Sequence, residues 1–156
     1  MSAETTKKAA QYLSFNLGDE TFALDIAKVR EVLEFASVTK VPRMPAYMRG
    51  VINLRGRVVP VLDMRLKFGM SMTERSISTC VIITEIPSGG ESAVIGTLAD
   101  SVQEVFELNE DDIEPSPSIG SQVSMDFLKG MGKRDNEFIQ IVEIESVFSE
   151  EAVMSV

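Results

Sequence analysis

Residues 50–63 read GVINLRGRVVPVLD, in which two apolar segments flank a polar centre that contains glycine. This arrangement is typical of a β-hairpin, because the apolar segments form the strands and the centre forms the turn. Gly56 suits a turn that needs a permissive backbone, and Asn53 suits one in which a side chain bonds to the backbone. We therefore predict a hairpin whose turn contains Arg55 and Gly56.

The N-terminal part of the chain predicts a second hairpin. YLSFNL and TFALD alternate apolar and polar residues on either side of the turn sequence GDE, as paired strands do. Residues 1–11 show no apolar period and predict a disordered tail.

Residues 26–35, IAKVREVLEF, have a different pattern. Ile26, Val29, Val32 and Leu33 fall at helical spacing. This spacing predicts one or two turns of helix.

An internal repeat links the two halves of the chain. Residues 22–34, FALDIAKVREVLE, align with residues 95–107, IGTLADSVQEVFE, with identities at Val29, Glu31, Val32 and Glu34. Further along, MRGV aligns with LKGM and VVPVLDM with FIQIVEI. The same order of elements in both halves indicates a duplication.

The duplication predicts an all-β fold. We expect two five-stranded β-barrels, residues 12–75 and 76–156, related by a pseudo-twofold axis and accompanied by short helices. Two barrels this small are expected to pack against each other, since each has few residues of its own to bury. The segment IESVFSEEAVM, residues 144–154, predicts a C-terminal helix that belongs to the second barrel and packs back across the first.

Charge and composition narrow the class of partner. The 156 residues carry a net charge of −9, which argues against a general nucleic-acid or anionic-membrane surface. There is no long apolar run or signal peptide, and the single cysteine fits a reducing compartment, so a cytoplasmic protein without membrane insertion is expected. Residues 41–75 hold seven basic residues, whereas residues 76–156 hold three basic and sixteen acidic residues.

The sequence gives little support for an enzyme. It has no histidine, the commonest general base and metal ligand, and one cysteine cannot build a zinc site. No phosphate-binding glycine motif occurs. We expect no catalytic residues, no metal and no cofactor.

The residues also carry a family resemblance. GVINLRGRVVPVLDMRLKFG, residues 50–69, resembles the signature of the chemotaxis coupling protein family, CheW. The resemblance extends to YLSFNLGDETFALDIAKVREVLE, IGTLADSVQEV and FLKGMGKRDNEFIQIVEIESVF, and so covers nearly the whole chain. It implies two SH3-like barrels without enzymatic activity, located at receptor arrays beneath the inner membrane. Its implied partners are the cytoplasmic tips of chemoreceptors and the regulatory domain of a histidine kinase.

A receptor groove is the first candidate site. A helical receptor tip presents apolar side chains and needs an apolar slot, and the repeat places valines at equivalent positions in both halves. Spacing alone also fits plain core residues, but the resemblance implies receptor binding by Val29, Val102 and Val105. The candidate receptor-binding residues are Val29, Glu31, Val32, Arg55, Gly56, Val102 and Val105.

An ion pair is predicted within this groove. Arg55 needs a carboxylate partner if it lies among strand residues, and we predict that it pairs with Glu31. Glu104 occupies the place of Glu31 in the second half, where no NLRG arginine exists, and this asymmetry indicates a functional role for the pair.

The second candidate site is a kinase contact on the rim of the first barrel. The resemblance implies that this barrel meets the regulatory domain of the kinase. The candidates are small apolar residues with basic neighbours, namely Thr39, Val41, Pro42, Arg57 and Val58.

Two alternatives remain at this point. The chain fits a CheW-like adaptor of a non-flagellar pathway. It also fits a small β-barrel that binds oligonucleotides, although Tyr47 and Phe68 are the only aromatic residues in the basic region 41–75.

Overall fold

The computed structural model describes residues 9–35, 38–88, 90–115 and 127–148, which form two β-sheets. The elements are β1 (Ala9–Leu17), β2 (Glu20–Asp25), β3 (Val29–Glu34), β4 (Met48–Leu54), β5 (Arg57–Leu62), α1 (Met64–Lys67), β6 (Cys80–Ser88), β7 (Glu91–Ala99), β8 (Ser101–Asn109), β9 (Ile113–Glu114), β10 (Leu128–Arg134) and β11 (Glu137–Val142). Short 3-10 turns cover Ile26–Lys28 and Glu110–Asp112, and residues 144–148 are helical.

The strand order shows that the two sheets exchange segments. Sheet A has the order β8-β1-β2-β11-β10-β9, and sheet B has the order β3-β6-β7-β5-β4. The hairpin β1–β2 therefore pairs with strands from the second half of the chain, and β6–β7 pairs with strands from the first half. The predicted division at residue 75 does not separate the sheets, because each sheet combines strands from both halves of the chain.

The N-terminal prediction also needs a correction. Residues 9–11 belong to β1 and pair with Glu107, Leu108 and Asn109 of β8, so the predicted tail of residues 1–11 is wrong for its last three residues. Backbone pairing with β8 orders a segment whose side chains show no apolar period. Residues 1–8 lie outside the described residues.

Both predicted hairpins are confirmed. β1 pairs with β2 around a turn at Gly18, whose φ is 63°. β4 pairs with β5 in a register that places Leu54 opposite Arg57. The two residues between them, Arg55 and Gly56, have φ values of 53° and 86°, as a type I′ hairpin turn requires.

The internal repeat is visible in two equivalent glycines. A Cβ on Gly50 would lie 2.2 Å from the carbonyl oxygen of Thr39, which bridges to Val51 in β4. A Cβ on Gly130, the equivalent residue of β10, would lie 2.5 Å from the carbonyl oxygen of Glu114 in β9. The MRGV and LKGM segments are therefore alike because another backbone crosses closely over each glycine.

Three apolar cores hold the sheets. Sheet A encloses a core that includes Tyr12, Phe106 and Ile139, and sheet B encloses one that includes Val61 and Ile83. Side chains from the end strands of sheet B, such as Leu33 and Leu54, pack on the same core, so the sheet closes into a barrel. Below, sheet B is called the first barrel and sheet A the second barrel. The predicted all-β fold with two SH3-like barrels is confirmed. The sequence predicts five strands for each barrel; sheet B has five, and sheet A has six because the two-residue strand β9 joins it.

The largest core lies between the barrels and is called the interbarrel core below. It contains Phe15, Phe22 and Leu24 from sheet A together with Ile82 and Ile95 from sheet B. The C-terminal helical residues Ile144, Val147 and Phe148 are buried in it. The described part of the predicted C-terminal helix, 144–148, therefore packs at the junction of both barrels, and residues 149–154 lie outside the described residues.

Strand β3 replaces most of the helix predicted over residues 26–35. Only the 3-10 turn Ile26–Lys28 is helical. In β3, Val29 lies opposite Thr84 and Val32 lies opposite Ile82. A β-bulge between Val29 and Glu31 places one extra residue in β3. The bulge adds one residue to the two-residue period of a strand, so Val29 and Val32 share a face at a spacing that resembles a helix.

Candidate partner-binding site

The two strands that carry the candidate valines are equivalent edge strands. β3 ends sheet B and β8 ends sheet A. In β8, Val102 lies opposite Phe15 and Val105 opposite Leu13, again across a bulge. Phe15 and Leu13 belong to the interbarrel core, so Val102 and Val105 lie on the side of sheet A that faces the other barrel.

The four valines differ in exposure. Val29 and Val102 are half-buried and pack against the interbarrel core. Val32 is 40% exposed and Val105 is 48% exposed. Each edge strand therefore presents one anchored valine and one exposed valine on the face toward the neighbouring barrel.

The Glu31–Arg55 ion pair joins the two ends of sheet B. Arg55 Nη2 donates to Glu31 Oε2, and Arg55 Nη1 lies 3.5 Å from Glu31 Oε1. Glu31 belongs to the end strand β3, and Arg55 occupies the turn after the opposite end strand β4. The hydrogen bond with Glu31, and then its charge, raise the pKa of Arg55 above its ordinary value. The predicted pairing is therefore present, with Arg55 exposed and Glu31 half-buried.

Gly56 completes this turn. Its backbone N–H donates to Asn53 Oδ1 over 2.7 Å, which is the side-chain to backbone bond predicted for Asn53. No heavy atom lies within 4 Å of the position that a Cβ on Gly56 would occupy. Gly56 is thus required by its positive φ and not by crowding.

The second barrel contains an equivalent ion pair, so the predicted asymmetry is wrong. Arg134 Nη1 donates to Glu104 Oε2 over 2.8 Å. This hydrogen bond, and then the charge of Arg134, lower the pKa of Glu104 below its ordinary value. Arg134 aligns with Leu54, one residue before Arg55, and a comparison that allowed a one-residue shift would have found it.

The candidate kinase residues lie on the hairpin β4–β5 and on the segment that bridges to it. Thr39 pairs with Val51 of β4, and Val51 lies opposite Pro60 of β5. Val58, two residues before Pro60, is 70% exposed.

The loop residues of this candidate site follow the bridge. Val41 and Pro42 lie two and three residues after Thr39 and are exposed. Arg57 is also exposed, and its charge helps to lower the pKa of Glu85 on β6, after the larger effect of the Ser92 hydroxyl. The structure therefore presents all five candidates at the surface on or beside one hairpin.

Metal ligands and the single cysteine are the remaining groups of interest for catalysis. Within residues 9–35, 38–88, 90–115 and 127–148, no group of three or more potential ligands could hold a metal ion. Cys80 is half-buried, and its desolvation raises the pKa of the thiol above its ordinary value. A raised pKa keeps the thiol protonated at neutral pH and makes it a poor nucleophile. In the same described ranges, no helix has the length and apolar character needed to span a bilayer.

The chain is similar in sequence and structure to known proteins of one family. The model of the CheW-like domain family matches residues 11–152. "Chemotaxis protein CheW" of Rhizobium meliloti is 34% identical over 146 residues, which cover 94% of this chain and 92% of that protein. "Protein FrzA" of Myxococcus xanthus is 31% identical over 129 residues, covering 83% of this chain and 78% of that protein. The crystal structure of the scaffolding protein TtCheW from Thermoanaerobacter tengcongensis superposes with a TM-score of 0.79 at 33% identity, covering 90% of this chain and 88% of that one.

Proposed function

The chain belongs to the CheW-like domain family, and we propose that it is a non-catalytic adaptor that couples chemoreceptor tips to a chemotaxis histidine kinase. It works in the cytoplasm at receptor arrays beneath the inner membrane. The proposal assigns two surfaces of the molecule to two protein partners, with no cofactor and no bound nucleic acid.

The receptor surface consists of the two edge strands. The observation that carries this assignment is that β3 and β8 each present one valine packed against the interbarrel core, Val29 or Val102, and one exposed valine, Val32 or Val105. A helical receptor tip buries apolar side chains spaced three and four residues apart in an apolar groove. Val29, Val32, Val102 and Val105 supply apolar contacts for such a tip.

The Glu31–Arg55 pair and Gly56 form the edge of this surface. The ion pair bridges the ends of sheet B next to Val29 and Val32, so it fixes the outline of the first barrel beside the groove. Because Arg55 is mostly exposed, it is also free to exchange Glu31 for a carboxylate of a partner at modest cost.

The kinase surface lies on the hairpin β4–β5, at Thr39, Val41, Pro42, Arg57 and Val58. A like-folded barrel of the kinase regulatory domain docks there, with exposed apolar residues at the centre and basic residues around them. Electrostatic attraction to an acidic partner would raise the association rate and make it depend on salt.

The receptor assignment is tested with Val105→Lys and Val29→Lys. Both variants should weaken binding of a receptor-tip fragment about tenfold or more in calorimetry, since a charge replaces an apolar contact at the centre of an interface. Binding of the kinase regulatory domain should stay within about twofold of the parent. The matched control is Ile77→Lys, the same chemical change at a fully exposed position on neither strand.

Stability measurements decide between a binding role and a core role. Val105 is about half exposed, so Val105→Lys should change the free energy of unfolding by less than about 1 kcal/mol. If Val105→Lys binds the receptor tip like the parent, the groove is wrongly placed. If it unfolds the protein instead, the valine is a core residue.

A further inference from the structure

The chain passes between the two sheets at two points, and each lies directly before a candidate groove valine. It passes from sheet A to sheet B through Ile26–Lys28, immediately before Val29. It returns from sheet B to sheet A at Asp100, two residues before Val102. These two crossings therefore determine where the edge strands β3 and β8 begin.

An ion pair holds each crossing, and the two pairs are related by the repeat. At the first, Lys28 Nζ donates to Glu145 Oε2 in the helical segment after β11. At the second, Arg65 Nη1 in α1, which follows β5, donates to Asp100 Oδ2 over 2.6 Å. VVPVLDMR and FIQIVEIE align so that Arg65 falls on Glu145. Asp100 falls on Ala27, one residue before Lys28. The two crossings are therefore held in a similar way, with the charges of the partners reversed and one partner shifted by one residue.

The second crossing is held by more contacts. Asp100 Oδ2 also accepts the backbone N–H of Gly18 over 2.6 Å, and the backbone N–H of Asp100 donates to the carbonyl oxygen of Asn16 over 2.9 Å. Arg65 is itself fixed by hydrogen bonds to the backbone and the hydroxyl of Ser71. The Arg65 and Asp100 side chains are 17% and 28% exposed.

The first crossing is held more weakly. The Lys28 and Glu145 side chains are 29% and 37% exposed. Both border a cleft of about 220 Å³ that is also lined by Asp25, Lys129 and Glu143, and Arg65 and Asp100 border one of about 360 Å³, so the difference between the crossings lies in side-chain exposure and in the number of hydrogen bonds. Besides this pair, the Asp25 carboxylate accepts the backbone N–H of Ala27 over 2.9 Å, which orders the turn but does not attach it to the other barrel. Ile26 of this turn packs against the interbarrel core. Among the side-chain hydrogen bonds of the described residues at this turn, the one from Lys28 to Glu145 attaches it to the segment after β11.

We propose that the Lys28–Glu145 and Arg65–Asp100 ion pairs are positioning contacts that set the separation of β3 and β8, and that the Lys28–Glu145 pair is the one that yields first. The consequence for receptor binding rests on the function proposed above. The geometric claim does not, because it concerns only the distance between two strands. Loss of the first pair moves β3 and leaves β8 in place.

The geometric claim is tested by the distance between the two strands. Spin labels on Val32→Cys and Val105→Cys, in a Cys80→Ser background, report this distance by pulsed electron spin resonance. Lys28→Glu and Glu145→Lys should each shift or broaden the distance distribution, and the double variant with the two charges exchanged should restore it. Lys133→Glu, the same charge change on an exposed side chain of β10, should leave it unchanged.

Neutral variants separate positioning from general destabilisation. Lys28→Met and Glu145→Gln remove the ion pair without adding repulsion, and urea unfolding shows whether each remains folded. In the parent protein, raising the salt concentration from low to high should broaden the distance distribution, because screening weakens an exposed pair most. In the double neutral variant, this response to salt should become smaller, and the exposed Glu31–Arg55 pair on β3 accounts for what remains.

The outcomes divide clearly. Unchanged distances in both charge-reversed variants, or no recovery in the exchanged double variant, would overturn the positioning claim. A response to salt that is as large in the double neutral variant as in the parent protein would overturn the claim that this pair yields first.

Receptor binding is then measured separately with unlabelled protein and a receptor-tip fragment. The single reversals should weaken it about two- to fivefold, and the exchanged double variant should recover it. Restored distances without any effect of the single variants on receptor binding would support the positioning claim and contradict the receptor groove.

Discussion

Replacing Asp63 with alanine should strongly destabilise the protein, because its side chain holds the segments around the hairpin β4–β5 together. Asp63 follows β5, is fully buried, and accepts four hydrogen bonds. Its Oδ1 accepts from Arg65 N at 3.1 Å and Thr73 Oγ1 at 2.8 Å, and its Oδ2 accepts from Thr73 N at 3.0 Å and Arg49 Nη1 at 3.1 Å. The carboxylate therefore fixes the start of α1, the strand β4 and the segment after α1 at once.

The expected magnitude follows from what Asp63→Ala leaves behind. The Arg49 side chain is 21% exposed, so the variant leaves a largely buried cation without its anion and two Thr73 donors without an acceptor. Removing one partner of a buried ion pair costs about 3–5 kcal/mol. That is a large part of the roughly 5–15 kcal/mol by which domains of this size are stable.

Urea unfolding followed by far-ultraviolet circular dichroism measures this loss, since the chain has no tryptophan. The free energy of unfolding of Asp63→Asn should lie between those of Asp63→Ala and the parent protein, because the amide oxygen still accepts hydrogen bonds but carries no charge. The matched control is Glu143→Ala at the equivalent position of the second barrel. The Glu143 backbone N–H donates to Phe127 O as that of Asp63 donates to Tyr47 O, but its side chain is half-buried. We expect Glu143→Ala to cost less than about 1 kcal/mol. If Asp63→Ala costs no more than Glu143→Ala, the buried carboxylate is not the contact that holds these three elements.

Two further predictions concern the proposed partner surfaces. Arg55→Glu and Glu31→Arg should each reduce receptor or kinase coupling, and the double exchange should recover part of the loss, because the two ends of sheet B would again be joined by opposite charges. No recovery in a coupling assay with receptor and kinase would contradict the role of the pair. Val41→Asp should weaken binding of the kinase regulatory domain in calorimetry while receptor binding stays near that of the parent. Equal loss of both partners would show that the two surfaces are not separate.

The residues of the turn made the hairpin β4–β5 predictable from the sequence. Arg55 and Gly56 form a two-residue turn with positive φ at both positions, and the glycine in the sequence signals it. The equivalent turn in the second barrel consists of Asp135 and Asn136, whose φ values are 51° and 67°. Asparagine and aspartate tolerate this conformation better than most residues, so KRDNE predicts a hairpin just as LRGR does.

The bulges made the valine strands unpredictable. A regular strand brings every second residue to one face, whereas Val29 and Val32 share a face at a spacing of three because of the extra residue at the bulge. Spacings of three and four are the signature of a helix, so the sequence pattern favoured the wrong element while it grouped the correct side chains. Nothing in a single sequence marks the bulge itself.

Long-range pairing was the other missing information. The pairing of β1 with β8 joins residues such as Leu13 and Val105, and the two strands carry no complementary signal that a single sequence reveals. The duplication predicted two similar barrels, but the predicted division at residue 75 assigned the hairpins β1–β2 and β6–β7 to the wrong ones. Sheet membership depends on the interbarrel core, where Phe15 and Phe22 pack with Ile82 and Ile95.

The exchange of hairpins also fixes an order for events during synthesis on the ribosome. All five strands of sheet B lie between residues 29 and 99, so that sheet can close as soon as β7 has left the exit tunnel. The hairpin β1–β2 emerges before any of them, yet its partners β8 and β11 are translated only after all of sheet B. The first strands to be made are therefore without their neighbours for most of translation, and the interbarrel core that buries Phe15 and Phe22 is completed only when the C-terminal helical residues arrive.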